Sequence, residues 1–258
     1  MLTHQHRGDG PNVTILLHGF LGTGRNLSSL ARRWAERDPS RTLVMADMTG
    51  HGTSPPLPDP PGLEAIARDV LALADSAVGD EQVAVIGHSM GGRVALQARL
   101  LAPERVSSVA ILDISPGPIE PRVGSLEPVL DALLSAPDRA GSRDEMRQTL
   151  TGSGLSRPLA DWLLMNLMSD DRGGLTWRFD RQALRALYFN SRDNDFWDAV
   201  SLGPTVAVRG GGSAFVSDEE LARLEELGAS VHTLPGAGHF LHVDAQEALL
   251  DVLVDTRL

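Results

Sequence analysis

The 258-residue sequence predicts an α/β protein built on a mainly parallel sheet covered on both faces. Three observations predict it. Short apolar runs of strand length alternate with helix-period stretches, the pattern of parallel strands joined by helical crossovers. The length is enough for one large domain, or for one carrying an insertion. The run Gln82 to Ile86 leads directly into Gly87-His-Ser-Met-Gly-Gly92, and then into a helix-patterned stretch, Arg93 to Leu101, that stops at Pro103. A strand, a sharp turn and a helix therefore meet at Ser89.

Taken in order, strands are expected near Val13 to Leu17, Thr42 to Ala46, Gln82 to Ile86, Ser108 to Asp113, Thr205 to Arg209 and Ser230 to Leu234, with helices between them. The stretch Leu63 to Val78 places Ile66, Val70, Leu73 and Ala77 on one helical face, and Asp218 to Leu227 does the same with Leu221, Leu224 and Leu227. From Pro116 to about Ser201 the alternation stops, and short helical patterns are broken by Pro128, Pro137, Gly152, Gly154, Pro158 and Gly173-Gly174. The expected organisation is a core of residues 1–115 and 202–258 with a helical cap, 116–201, inserted after the strand that ends at Asp113.

Composition removes several chemistries. There is no cysteine, hence no disulfide, thiolate zinc site or cysteine nucleophile. All 23 basic residues are arginine, so no lysine is present for a Schiff base. A net charge of -11 argues against nucleic acid or an anionic membrane as partner. No apolar run approaches the ~20 residues of a membrane span, and the N-terminal MLTHQHRGDGP lacks the apolar stretch of a signal peptide. The expectation is a cytoplasmic monomer or homodimer with no cofactor and no metal, acting on a small molecule. His4 and His6 fit a solvated strand end better than a ligand pair.

A serine nucleophile needs a base, oxyanion donors and a carboxylate that holds the base in one tautomer. His239, in the loop Gly236-Ala-Gly-His-Phe240 after the last strand, is the candidate base. His242 lies beyond the glycine turn and is the nearer rival, whereas His88 should point away from its neighbour Ser89. In Leu17-His-Gly-Phe-Leu-Gly22, a turn at Gly19 would aim the Phe20 amide at the oxyanion beside the Met90 amide. His18 reads as a buried brace of that loop, and His51, in Asp47-Met-Thr-Gly-His-Gly-Thr-Ser54, as structural.

The segments HGF near residue 19, DMTGHGTS, GHSMGG and GAGHF, in this order, resemble the α/β-hydrolase superfamily. The resemblance implies the α/β-hydrolase fold and the Ser, acid, His chain order. Most members place the aspartate in a turn after the strand that follows the cap, where this sequence has Gly210-Gly-Gly-Ser213. Asp113, in Leu112-Asp-Ile-Ser-Pro116, could reach the base from the neighbouring strand. With Trp177-Arg-Phe179 and the glycine-rich turn ending at Ser213, it resembles the YbfF- and ABHD11-like esterases and thioesterases. That likeness implies Asp113 as the acid and Ser213 as a supporting fourth member. Asp218 is the alternative acid, although it reads as the first turn of a helix capped by Ser217.

Seven of the eleven aromatic residues fall in the cap, and Phe20, Phe215 and Phe240 flank the catalytic loops. An apolar acyl pocket is expected, lined by Trp177, Phe179, Phe215 and Phe240. The leading function is cofactor-independent hydrolysis of carboxylic esters or thioesters through an acyl-enzyme on Ser89. Arg93, four residues further on, is either an ion-paired residue on the helix surface or a grip for a substrate carboxylate. The second case would suggest a MenH-like lyase or a C–C bond hydrolase. A slow-turnover receptor for a small ligand is the reading from another class.

Overall fold

The computed structural model describes residues 1–119 and 126–256. Residues 120–125 of the expected cap and 257–258 of the expected core therefore lie outside the described residues. The chain opens with β1 (His4–Arg7) and β2 (Asn12–Leu17), followed by α1 (Ser28–Arg37) and β3 (Arg41–Ala46). Helix α2 (Leu63–Val78) leads to β4 (Val83–His88), α3 (Met90–Leu101) and β5 (Val106–Leu112). An inserted stretch comes next: α4 (Glu127–Ser135), β6 (Arg139–Ala140), α5 (Arg143–Gly152), α6 (Arg157–Leu164), β7 (Leu167–Ser169), β8 (Leu175–Trp177), α7 (Arg181–Ser191) and α8 (Trp197–Val200). The chain returns through β9 (Thr205–Gly210), α9 (Asp218–Glu226), β10 (Ser230–Leu234), α10 (Leu241–Asp244) and α11 (Gln246–Asp255).

The main sheet has the order β1-β3-β2-β4-β5-β9-β10. Only β1 runs antiparallel, against β3; the other neighbours are parallel. The inner strands β2, β3, β4, β5 and β9 are mainly apolar and buried because both faces are covered, and their period of two divides them between two cores. In β2, Ile15 and Leu17 join Ile66 and Val70 of α2, while Leu16 packs on the other side with Trp34 of α1 and Leu250 of α11. Each fully buried leucine or isoleucine of this kind contributes about 1.5–3 kcal/mol.

Helix α3 lies against α2 and the sheet and is buried almost all round, Arg93 and Arg99 included. Parallel pairing brings the C-terminal ends of β4, β5, β9 and β10 to one edge, side by side. Functional loops collect there.

The structure departs from the expected elements in three places. Strand β1, His4-Gln-His-Arg7, is fully exposed along its length and carries no apolar alternation, so nothing local announces it; backbone pairing with β3 makes it an edge strand. Ala77 is exposed, because the last turn of α2 runs past the sheet, and the buried face is instead Leu63, Ile66, Ala67, Val70, Leu73 and Ala74. The inserted stretch is not purely helical: β6, β8 and β7 form a three-stranded antiparallel sheet.

Candidate active site

Ser89 sits between β4 and α3 with φ 52 and ψ -122, in the left-handed half of conformational space that a residue with a Cβ avoids. The turn closes because strand and helix approach more tightly than side chains allow. A Cβ on Gly87 would lie 2.0 Å from the Gly91 carbonyl carbon, and one on Gly91 would lie 2.6 Å from the His18 carbonyl oxygen. Among the described residues, the non-glycine positions with positive φ are Leu21, Ser89 and Asp113. They occupy the loops after β2, β4 and β5. Each costs on the order of 1 kcal/mol, and strain of this kind concentrates where function over-determines the backbone.

Strand order β4-β5-β9-β10 sets Ser89, Asp113, Ser213 and His239 along one edge in that sequence. The Asp113 side chain is completely buried. Its Oδ1 accepts the Gly210 amide at 2.8 Å, and its Oδ2 accepts the Ser213 hydroxyl and His239 Nδ1 at 2.7 Å. A carboxylate can only accept here, so Nδ1 of His239 carries the proton and Nε2 is the free basic nitrogen.

The His239 ring and its loop are each held by a further contact. Phe215 stacks on it at 3.9 Å between centroids and 23° between planes, and His88 Nε2 donates to the His239 carbonyl at 2.8 Å. His88 thus ties the elbow to the base loop. Asp218 is elsewhere: it lies in the first turn of α9, capped by Ser217, and its exposed carboxylate pairs with Arg209 at 2.6 Å.

The other histidines near the site are held neutral. His18 Nε2 accepts the Met48 amide at 3.0 Å while Nδ1 donates to the Gly19 carbonyl at 2.8 Å, and burial lowers its pKa to about 4. That brace fixes the loop carrying Phe20. Burial, helped by the nearby His18, takes His51 down to about 3. His242 is lowered to about 4, chiefly by burial and then by His239. Among the described residues neither the Phe20 nor the Met90 amide has a hydrogen-bond acceptor of its own. Both flank Ser89 and both are available to an oxyanion.

Two hollows open at Ser89. One is a cleft of about 560 Å³ whose walls include Gly19, Phe20, Trp162, Phe215, His239 and Phe240. The other is a narrow apolar hollow of about 50 Å³, closed by Leu63, Ile114, Leu187 and Tyr188. Phe20, Leu126 and Phe215 line both. Of the expected pocket residues, Phe215 lines both hollows at Ser89 and Phe240 lines only the larger cleft.

Trp177 and Phe179 do not. They line a separate surface hollow with Leu134 and Arg181, stack on each other at 5.8 Å, and Trp177 Nε1 donates to the Pro137 carbonyl at 3.2 Å. Their expected place in the acyl pocket is corrected: they close the core of the inserted stretch. Among its aromatics, Trp162 and Tyr188 face Ser89 instead, and nothing in the sequence distinguishes the two pairs.

Arg93 is not the ion-paired surface residue that one reading expected. It is buried rather than on a surface, and no carboxylate pairs with its guanidinium. One terminal nitrogen donates to the Gly117 carbonyl, and the other donates to those of Ser191 at 3.1 Å and Asn194 at 2.8 Å. The nucleophile helix thereby clamps both ends of the inserted stretch. With those donors engaged, Nε is the guanidinium nitrogen left without a partner, and Arg93 contributes to the wall of a hollow that Ser89 also lines. Among the described residues no three histidine, aspartate or glutamate groups converge on a metal position.

The sequence model described as the Alpha/beta hydrolase family matches residues 14–252. The mouse (Mus musculus) sn-1-specific diacylglycerol lipase ABHD11 is 28% identical over 251 residues, covering 93% of this chain and 78% of that protein. Esterase YbfF of Escherichia coli strain K12 is 28% identical over 249 residues, covering 92% and 89%. The solved structure of a marine microorganism esterase superposes with a TM-score of 0.88 at 26% identity, covering 99% of this chain and 98% of that one.

Proposed function

The chain belongs to the alpha/beta hydrolase family, and on that premise we propose that it hydrolyses carboxylic esters or thioesters of apolar acids through an acyl-enzyme on Ser89. The observation that carries this reading is the buried Asp113 carboxylate held against His239 Nδ1, with Ser89 on the same cleft. His239 Nε2 takes the Ser89 proton as Oγ attacks the acyl carbon. The Phe20 and Met90 amides receive the charge that builds on the carbonyl oxygen. The imidazolium, stabilised by Asp113, then returns its proton to the leaving alcohol or thiol, and water repeats the sequence to free the acid.

Ser213 acts as a supporting member. Its hydroxyl shares Oδ2 of Asp113 with the imidazole and keeps that oxygen oriented. The narrow apolar hollow takes the acyl chain, because it is closed by aliphatic and aromatic walls and offers few polar groups. The larger cleft takes the leaving group, which must depart and be replaced by water. The inserted stretch acts as a cap that completes both, through Leu187, Tyr188 and Trp162.

The relatives named above, a lipase and two esterases, support the same reaction class. Incubation with p-nitrophenyl butyrate tests it. Many turnovers per protein, together with one fluorophosphonate adduct at Ser89 that is lost in His239→Ala, are the expected results. A single stoichiometric burst would make the protein a receptor of slow turnover, and labelling at another serine would displace Ser89.

A further inference from the structure

A hollow of about 780 Å³, larger than the 560 Å³ cleft at Ser89, has no wall formed by Ser89. It lies between β1, the loop after β2 and the inserted stretch. Its walls include Arg25, Arg143 and Arg178. Gly22, Asn26 and Met165 line both this hollow and the 560 Å³ cleft at Ser89, so the two are contiguous.

The three arginines differ from most others on this surface. Arg33 and Arg37 sit against Glu247, Arg147 against Asp161 and Arg209 against Asp218. Among the described residues, Arg25, Arg143 and Arg178 have no carboxylate within ion-pair distance. Arg143 donates to two carbonyls, those of Leu164 and Leu167, which aim its guanidinium without neutralising it. The acid on the hollow's wall, Asp47, is engaged by the Gly24 amide at 2.8 Å and the Thr53 amide at 3.0 Å. Three like charges brought to one concavity repel one another, and in a chain of net charge -11 carboxylates to pair them are plentiful. The arrangement is relieved by an anion from outside.

We propose that this hollow is an anion subsite, which holds a phosphate or similarly compact anion carried at the far end of the leaving group of an ester or thioester cleaved at Ser89. The inference rests on the hydrolase reading above and narrows its substrate class. The anion adds binding for the half of the substrate that leaves, and it is held at the end of the cleft remote from the acyl hollow.

The test uses two pairs of substrates with one acyl group: the butyryl thioesters of 4′-phosphopantetheine and of pantetheine, and the butyryl monoesters of glycerol 3-phosphate and of glycerol. The first pair places the phosphate far from the reacting bond and the second places it near, so they distinguish a thiol from an alcohol source. Arg25→Gln with Arg178→Gln is the informative variant, since Arg143 also holds carbonyls of the inserted stretch. For at least one pair, wild type should prefer the phosphorylated member. The double variant should lose about tenfold in kcat/KM on that member, the scale of two solvent-exposed charge contacts, and be unchanged on its neutral partner.

Binding of the same phosphorylated compounds to Ser89→Ala, measured by calorimetry, separates the two claims. Arginine-dependent binding without turnover in the wild type keeps the subsite and removes the hydrolase reading. Turnover of all four compounds with no preference, unchanged in the double variant, keeps the hydrolase and overturns the subsite.

Discussion

Replacing Asp113 with asparagine isolates the charge of the candidate acid, because position 113 has φ 54 and asparagine tolerates that left-handed backbone at least as well as aspartate. Alanine would add backbone strain and confuse the result. The carboxylate accepts three hydrogen bonds: Gly210 N–H on Oδ1, and Ser213 Oγ–H with His239 Nδ1–H on Oδ2. Asparagine has one acceptor oxygen and one donor amide, and the Gly210 N–H, fixed in the backbone at 2.8 Å, claims the oxygen. The NH₂ then faces His239 Nδ1.

Two donors cannot meet, so the imidazole shifts its proton to Nε2 and presents Nδ1 as acceptor; the Ser213 hydroxyl rotates to accept as well. A protonated Nε2 cannot take the Ser89 proton. The loss is that of a wrong tautomer, roughly 10⁴ in kcat, with small effect on KM. Steady-state hydrolysis of p-nitrophenyl butyrate measures it, and activity of the variant should climb with pH as alkoxide replaces general-base attack. Asp218→Asn, which only breaks the exposed pair with Arg209, should stay within twofold of wild type. If Asp113→Asn keeps a tenth of wild-type kcat, the tautomer argument fails, and with it the placing of the acid just after β5.

Ser89→Ala should lower turnover about a million-fold with a melting temperature near that of wild type, and a variant retaining measurable burst chemistry would contradict a serine nucleophile. Trp177→Ala should cost about 3–5 kcal/mol in urea unfolding and leave the ratio of short-chain to long-chain ester hydrolysis unchanged; Leu187→Trp, which fills the narrow hollow, should shift that ratio toward shorter acids, and the reverse pattern would return Trp177 to the pocket. Stability should be level above pH 7 and fall between pH 6.5 and about 4, because unfolded histidines protonate there while His18, His51 and His242 are held neutral by burial. For His18 alone the loss by pH 4 is on the order of 3 kcal/mol. Asp38, held low by its Ser40 hydrogen bond, and Asp170, held low by Arg139, lose their contribution only below about pH 3.8. Urea midpoints that stay constant from pH 6.5 to 4.5 would show those three histidines to be solvated.

What is local in physics was legible in the order of residues. The elbow at Ser89 could be read because a strand, two glycines and a helix start lie within ten positions, and the six parallel strands because each is an apolar run bounded by turns. His239 was readable from its glycine loop after the last of them. Strand β1 was not, since HQHR owes its conformation to the backbone of β3 and to nothing in its own side chains. Asp113 and Ser213 stand 100 positions apart and meet only because β5 and β9 are neighbours; the motifs suggested the pair, and sheet order brought the oxygens together.

Aromatic richness between residues 116 and 201 could be counted, but not its direction. Trp177 and Phe179 turn into their own small core, while Trp162 and Tyr188 turn toward Ser89. The partners of Arg93 and the gathering of Arg25, Arg143 and Arg178 around one hollow were likewise decided by packing alone. A charge's partner depends on which surfaces meet once the chain has folded, and no window of sequence contains that information.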